Sequence, residues 1–258
     1  MRVLAIAMFG LLVAALAVSA QGVAPVAPKE NLDTALRGWE KAMTDLKSFV
    51  CVVQRKTLDK ALGARDEHKG YAMFLAPTTK DGGSRARLEL GKISNPKIFE
   101  KYICTGTYLY EYAPVNQTVR IHDMPQTKQQ GVHQESFLSF LFGMGAEQAK
   151  ARYQMELVYP KTPDSNYHYI QIVPKQAQDK SDFSFARLSL YRANHLPAQI
   201  WYLQPNKNEI EWNFTEVQTN VQIPLKYFEP DQPAGWRTER VQPKGPISGA
   251  STIRNKVE

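Results

Sequence analysis

The feature that most constrains this chain is a change of hydrophobic period at Ser48. Upstream, Leu32, Leu36, Trp39, Met43 and Leu46 recur at spacings of four and three, which predicts a helix over 31–48 with one apolar stripe and Asn31 as its cap. Downstream the period is two. Phe49, Cys51 and Val53 alternate with Val50, Val52 and Gln54, and Ala86, Leu88 and Leu90 with Arg85, Arg87 and Glu89. Short runs at 71–75, 101–104 and 108–112, and Val119 with Ile121, continue the pattern. Turn residues punctuate it: Gly63, Asp81-Gly82-Gly83, Asn95-Pro96, Thr105-Gly106 and Ala113-Pro114. Helix followed by regularly broken alternation predicts a meander of antiparallel strands.

The meander is interrupted at 133–151. Phe137, Leu138, Phe140, Leu141 and Phe142 are nearly contiguous, and Gly143 and Gly145 separate them from a second helical segment. Two short helices are expected, the first so apolar around its circumference that it must be buried or must cover something apolar. Strands then resume at 153–158, 168–173, 183–191, 197–203 and 209–217, with a hairpin turn at Asn206-Lys207-Asn208.

The termini read differently. Residues 1–20 carry Arg2, an uncharged apolar run from Leu4 to Val18, and small residues at Val18-Ser19-Ala20, the pattern of an export signal cleaved after Ala20. Residues 21–30 read as a linker, 31–241 as one domain, and the Pro- and Gly-bearing stretch 242–258 as a disordered tail. An exported protein meets an oxidising compartment, so a bridge between Cys51 and Cys104 is one reading of the only two cysteines and two free thiols the other.

Composition excludes several activities. The net charge of +7 is scattered, with no run of five bases, which does not support a nucleic-acid patch. Five histidines include no H-x₃-H pair, and there is no phosphate loop, no G-x-S-x-G elbow and no paired Cys/His spacing. Asp66 with Glu67, and His122 with Asp123, are sequence neighbours on strands and therefore point to opposite faces, which disqualifies them as catalytic pairs. The expectation is a protein without catalytic residues, metal or cofactor.

The order of motifs resembles the LolA/LolB lipoprotein-localisation superfamily of periplasmic carriers. Leu46-Lys47-Ser48-Phe49 running to Gln54 is similar to that family's L-x-S-F-x-A-x-F-x-Q, and the segment from Gly70 to Pro77 to its glycine-to-proline strand. The segment Thr105 to Pro114 resembles D-G-x-x-L-W-x-Y-x-P, and Phe228 to Trp236 the terminal F-x-x-x-P-x-G-W. Two departures stand out. Ala76 occupies the position of the carrier's lid-latching arginine, and Thr105 that of the aspartate before Gly106. No cysteine sits just after the apolar run, which argues against the lipid-anchored acceptor of the family.

The resemblance implies a strongly curved antiparallel sheet, an incomplete β-barrel, covered by the N-terminal helix and a two-helix insertion. It implies a soluble periplasmic carrier or sensor, monomeric, that holds lipid or an acylated lipoprotein against the concave face, takes it from a membrane ABC donor and yields it to an outer-membrane acceptor. Strand parity supplies the expected lining: Phe49, Val53, Phe74, Leu88, Leu90, Tyr108, Tyr110, Tyr112, Ile170, Ile172, Leu188, Leu190 and Trp212, with Phe137, Leu138 and Leu141 from the lid. The competing expectation is a scaffold of the same fold whose concavity is filled by its own side chains. Burial of an acyl chain of roughly sixteen carbons yields on the order of 12 kcal/mol, at about 0.8 kcal/mol per CH₂, so useful affinity does not require the latch.

Overall fold

The computed structural model describes residues 31–77, 83–124, 145–159 and 166–241. It opens with helix α1 (Leu32–Thr44), capped as expected by Asn31, whose side-chain oxygen accepts from the Thr34 amide at 2.9 Å. Strands β1 (Ser48–Leu58), β2 (Arg65–Leu75), β3 (Arg85–Lys92), β4 (Asn95–Cys104), β5 (Tyr108–Ala113) and β6 (Thr118–Asp123) follow, with a 3₁₀ turn at Pro114–Asn116 before β6. Then come α2 (Ala146–Arg152), β7 (Tyr153–Val158), β8 (Tyr167–Pro174), α3 (Ala177–Asp182), β9 (Phe185–Tyr191), β10 (Pro197–Leu203) and β11 (Glu209–Thr219). A 3₁₀ turn at Leu225–Phe228 leads to β12 (Arg237–Val241). The export signal, the linker, the tail and the first lid helix with Phe137, Leu138 and Leu141 lie outside the described residues.

All twelve strands form one sheet, in the order β12-β6-β5-β4-β3-β2-β1-β11-β10-β9-β8-β7. Strand β1 stands between two meanders, β2 to β6 on one side and β11 back to β7 on the other. The sheet begins at β12 and ends at β7, so it is open, a mainly β incomplete barrel. One pairing departs from the expected antiparallel pattern: β12 runs parallel to β6. A parallel neighbour requires a long return, and residues 220–236 provide it by crossing back over the sheet.

Register shows the curvature. Val53, Gly70, Leu90 and Glu100 stand in one row across β1, β2, β3 and β4, and Arg55 lies two residues from Val53 on the same face. In a flat sheet the Arg55 and Glu100 backbones would be about 16 Å apart. Their side chains nevertheless meet at 2.8 Å in a two-pronged pair, because the sheet folds over that face. Gly70 sits at the fold: a Cβ there would lie 1.8 Å from the Glu89 carbonyl oxygen, so only glycine lets β2 and β3 close so tightly.

The concave face holds the main core. Ala35, Leu36 and Trp39 of α1 pack with Ala146 and Ala149 of α2 against Tyr153, Ile170, Ile172, Leu188, Leu190, Ile200 and Trp212. Each large side chain so buried contributes about 1.5–3 kcal/mol. The helix is seated closely. A Cβ at Gly38 would fall 2.4 Å from the ring of His195, which follows β9 and stacks on His168 at 5.6 Å. Arg152 and the buried Asp179 tie α2 to α3.

Cys51 and Cys104 are both buried free thiols. They share the concave face but are separated by β2 and β3, well beyond the roughly 7 Å between Cα atoms that a bridge tolerates. Burial pushes the Cys51 thiol up to about 12.

Candidate functional site

Two zones make up the concave face. The first is apolar and lies where the end of α1 meets the start of β1. Met43 and Leu46, the last members of the helix stripe, line a half-open pocket of about 40 Å³ with Phe49, Cys51, Ala72, Phe214 and Val217 of the sheet. Leu196, Pro197 and Thr219 complete its wall. Phe74, stacked on Phe49 at 5.8 Å between ring centres, and Leu88 carry the greasy surface onward across β2 and β3, where they are half-buried. This pocket is open to solvent on one side and has room for no more than a few water-sized atoms. An acyl chain therefore enters only if the Met43–Leu46 end of the helix shifts, or if it lies along the half-buried surface beyond.

The second zone is charged, on the same face toward the opposite end of the strands. Arg55 pairs with Glu100 and lies over the Trp212 ring at 5.3 Å. Beside it His68 is buried, and its Nδ1 has no hydrogen-bond partner among the described residues. Burial, reinforced by the Arg55 charge, lowers the His68 pKa, so its ring is neutral at pH 7. A second charged group lies sideways across the sheet, in the rows of Leu88 and Phe74: Glu111 accepts from Arg120 at 3.0 Å and faces His122 Nε2 at 2.9 Å. Tyr102 and Tyr202 are both raised, burial first. Among the described residues no group of three or more His, Cys, Asp or Glu is placed to hold a metal.

The expected lining residues divide by face. Phe49, Val53, Phe74, Leu88, Leu90, Ile170, Ile172, Leu188, Leu190 and Trp212 all belong to the concave face, as their rows across the sheet require. Val53, Leu90, Ile170, Ile172, Leu188 and Leu190 are fully buried in the α1 core. Phe49, Phe74 and Leu88 adjoin the cavity.

Tyr108, Tyr110 and Tyr112 require a correction. They do share one face, with Glu111 on the other, but Tyr110 stands in a row with Ile103 and Arg87, and Glu111 with Tyr102 and Leu88. Glu111 is thus the concave residue, and the tyrosines face the convex side. Parity within a strand fixes which residues go together. Which face is the hollow one depends on register to β4, and the sequence does not carry that.

The convex side has its own small core. Ile103, Tyr112 and Val119 pack with Phe99, Tyr110 and Trp236, and Phe228 is buried nearby. The returning segment is fastened there. The Tyr112 hydroxyl donates to the Asp231 carbonyl at 2.6 Å and accepts from its amide at 3.0 Å, and Lys101 pairs with the Asp231 carboxylate. Burial opposes ionisation of Asp231, but the Lys101 bond and charge outweigh it and hold the carboxyl below its usual range.

Sequence reasoning passed over Arg55, Glu100 and the wall formed by Ala72, Leu196, Pro197 and Val217. Phe214 continues the Ile210–Trp212 alternation and was available to it. Leu196 and Pro197 sit after a turn, where no periodicity marks them.

No family model and no curated protein matches the chain. Among solved structures it is similar to a chain of the Pseudomonas aeruginosa MucA/MucB complex, at 12% identity and TM-score 0.45 over 77% of this chain and 60% of that one. This chain thus spans little more than half of that neighbour. It is similar to a conserved protein from Thermus thermophilus, at 10% identity and TM-score 0.49, over 80% of this chain and 97% of that one. It is also similar to a LolA superfamily protein from Nitrosomonas europaea, at 10% identity and TM-score 0.34, over 78% and 98% of the two chains.

Proposed function

We propose that this protein is a non-enzymatic periplasmic carrier or sensor that holds acyl chains, of a lipid or an acylated lipoprotein, against the concave face of its sheet. The observation that carries this reading is the unbroken apolar lining from Met43 and Leu46 through Phe49, Ala72 and Phe214 to Phe74 and Leu88, part of it still half-buried. Arg55, toward the other end of the strands, suits a polar head group at the far end of such a guest, while Arg120 and His122 border the lining sideways, across β5 and β6. As a carrier the protein would collect cargo from a membrane donor and yield it to an acceptor.

A second reading is favoured by a different observation. The core under α1 is filled by Trp39, Ile170, Leu188 and Ile200, all at or below 1% exposure. On that reading the sheet is a scaffold for a protein partner. Titration of the delipidated protein with a fluorescent fatty acid separates the two. A carrier gives saturable emission, abolished by Ala72→Phe, which fills the cavity. Absence of saturable binding, together with lipid-free organic extracts of protein recovered from its native envelope, would leave the scaffold.

A further inference from the structure

We propose that the hairpin tips at one end of the sheet form a docking rim for an anionic lipid bilayer. Strands β1, β3 and β5 run one way and β2, β4 and β6 the other, so the three hairpin turns leave the sheet at the same end, the end of the charged zone. Each turn holds a large aliphatic side chain out into solvent. Leu62 is 80% exposed, Ile93 53% and Val115 91%, and Ile98, early in β4, is 45% exposed. Three of the nine large apolar side chains exposed among the described residues thus stand on these tips, and a fourth, Ile98, lies early in β4 behind one of them. Single exposed aliphatics are ordinary, whereas one at every successive tip is not.

The tips are built to present these residues. Asp59 accepts the amides of Ala61 and Leu62 at 2.9 and 3.0 Å, and its own amide bonds Ala64, with Gly63 in the left-handed conformation. The Ile93 amide is fastened to the Glu67 carbonyl at 2.8 Å. Gln117 closes the 3₁₀ turn beneath Val115, its amide bonded to Pro114. Leu62 projects furthest, since β1 and β2 stay paired to Leu58 and Arg65 while β3 ends opposite His68.

Charge selects the occupant. Two acids of this end are ion-paired, Asp66 with Lys92 at 2.6 Å and Glu209 with Lys60 at 2.7 Å, and two are bonded to neutral groups, Glu67 to Gln54 and Asp59 to amides of its turn. Arg65, Lys69, Lys97 and Lys207 of the neighbouring turn remain exposed cations around the aliphatic tips. Aliphatics at the apex with cations behind them match a bilayer whose head groups are negative and whose interior is apolar. This inference does not depend on a guest in the cavity.

The test places an environment-sensitive fluorophore on single cysteines. Cys51 and Cys104 are buried thiols, so labelling goes to Leu62→Cys or Val115→Cys, with Tyr159→Cys, just beyond β7 at the opposite end of the sheet, as control. Vesicles of phosphatidylcholine with about one third phosphatidylglycerol should blue-shift the first two probes and not the third, and less so as salt rises from about 0.05 to 0.5 M. Leu62→Asp with Val115→Asp should weaken vesicle binding by at least about tenfold with the fold unchanged by circular dichroism. Because each probe reports its own position, adhesion through the apolar run at 4–18 would leave the tips unshifted, and that result overturns the proposal. So would equal shifts at Tyr159, or a shift that appears with rising protein concentration and no vesicles, which marks contact between copies.

Discussion

The two meanders flanking β1 use the same alternation to different ends. In β8, β9 and β10 the concave residues Ile170, Ile172, Leu188, Leu190 and Ile200 show no exposure at all, closed beneath Trp39 and Leu36 of α1. In β2 and β3 the concave residues Ala72, Phe74, Ala86 and Leu88 remain half-buried, and the rows end in ion pairs instead of aliphatics. Sequence pattern alone does not distinguish the halves, since both read as apolar every second residue. The difference is made by the helix and by curvature. One half has committed its apolar surface to the core, and the other keeps apolar surface at hand for a guest. If that division is real, substitutions of the same kind should have unequal effects on the two sides.

The largest effect is expected at the packed half. Trp39→Ala removes the ring that closes the core and should cost about 3–5 kcal/mol, whereas Leu88→Ala, whose side chain is already partly in water, should cost about 1 kcal/mol or less. Urea denaturation of both variants measures the gap through the midpoint at constant slope. Equal losses would mean that the open half is as rigidly packed as the other, and the comparison would collapse.

Next in size is the charged zone. Arg55 is 16% exposed and Glu100 33%, so the pair is only partly desolvated. Arg55→Met alone strands the Glu100 carboxylate and should cost about 2–3 kcal/mol, below the range for a fully buried pair. Arg55→Met combined with Glu100→Leu should recover to within about 1 kcal/mol of the parent, because the curvature rests on Gly70 and the backbone ladder and the pair only reports it. If the double variant is no better than the single, the pair itself holds β1 and β4 together, and the sheet is less curved by its backbone than the register indicates.

How much of this was legible beforehand follows from what alternation encodes. Period two marked the strands, and period 3.6 with Asn31 marked α1, because both are local. The grouping of Tyr108, Tyr110 and Tyr112 was legible for the same reason, and their side of the sheet was not, because one residue of register between β4 and β5 decides it. The Arg55–Glu100 pair joins residues 45 apart in sequence and exists only after the sheet has curled. The parallel seating of β12 likewise depends on where Trp236 and Asp231 find their partners, on a surface formed by Phe99, Lys101 and Tyr112. Helix α3 falls between the strands expected at 168–173 and 183–191, where nothing regular was expected, because its polar run 177–182 has no apolar stripe to reveal it.

The smallest effect sharpens the boundary between the zones. His68 is buried in the concave face beside Arg55, and burial first, then that cation, lowers its folded pKa below the ordinary 6.5. Glu100 and Asp66 work in the other direction and Lys92 with Arg55, and the balance still leaves the ring neutral. Between the folded pKa and 6.5 the unfolded chain binds the proton more readily than the folded one, so stability must fall as pH is lowered through that window and level off once both forms are protonated. His68→Gln removes the titration. The parent and the variant should therefore show the same trend above pH 7, and the parent alone should lose additional stability as pH drops below about 6.5. Chemical denaturation at several pH values reads this as a difference of slopes. If Arg55→Met is introduced into both, the difference should shrink, since the cation that helps to exclude the proton has gone. A slope unchanged by either substitution would show that His68 is solvated in the open half and that water reaches deeper between β1 and β3 than its burial implies.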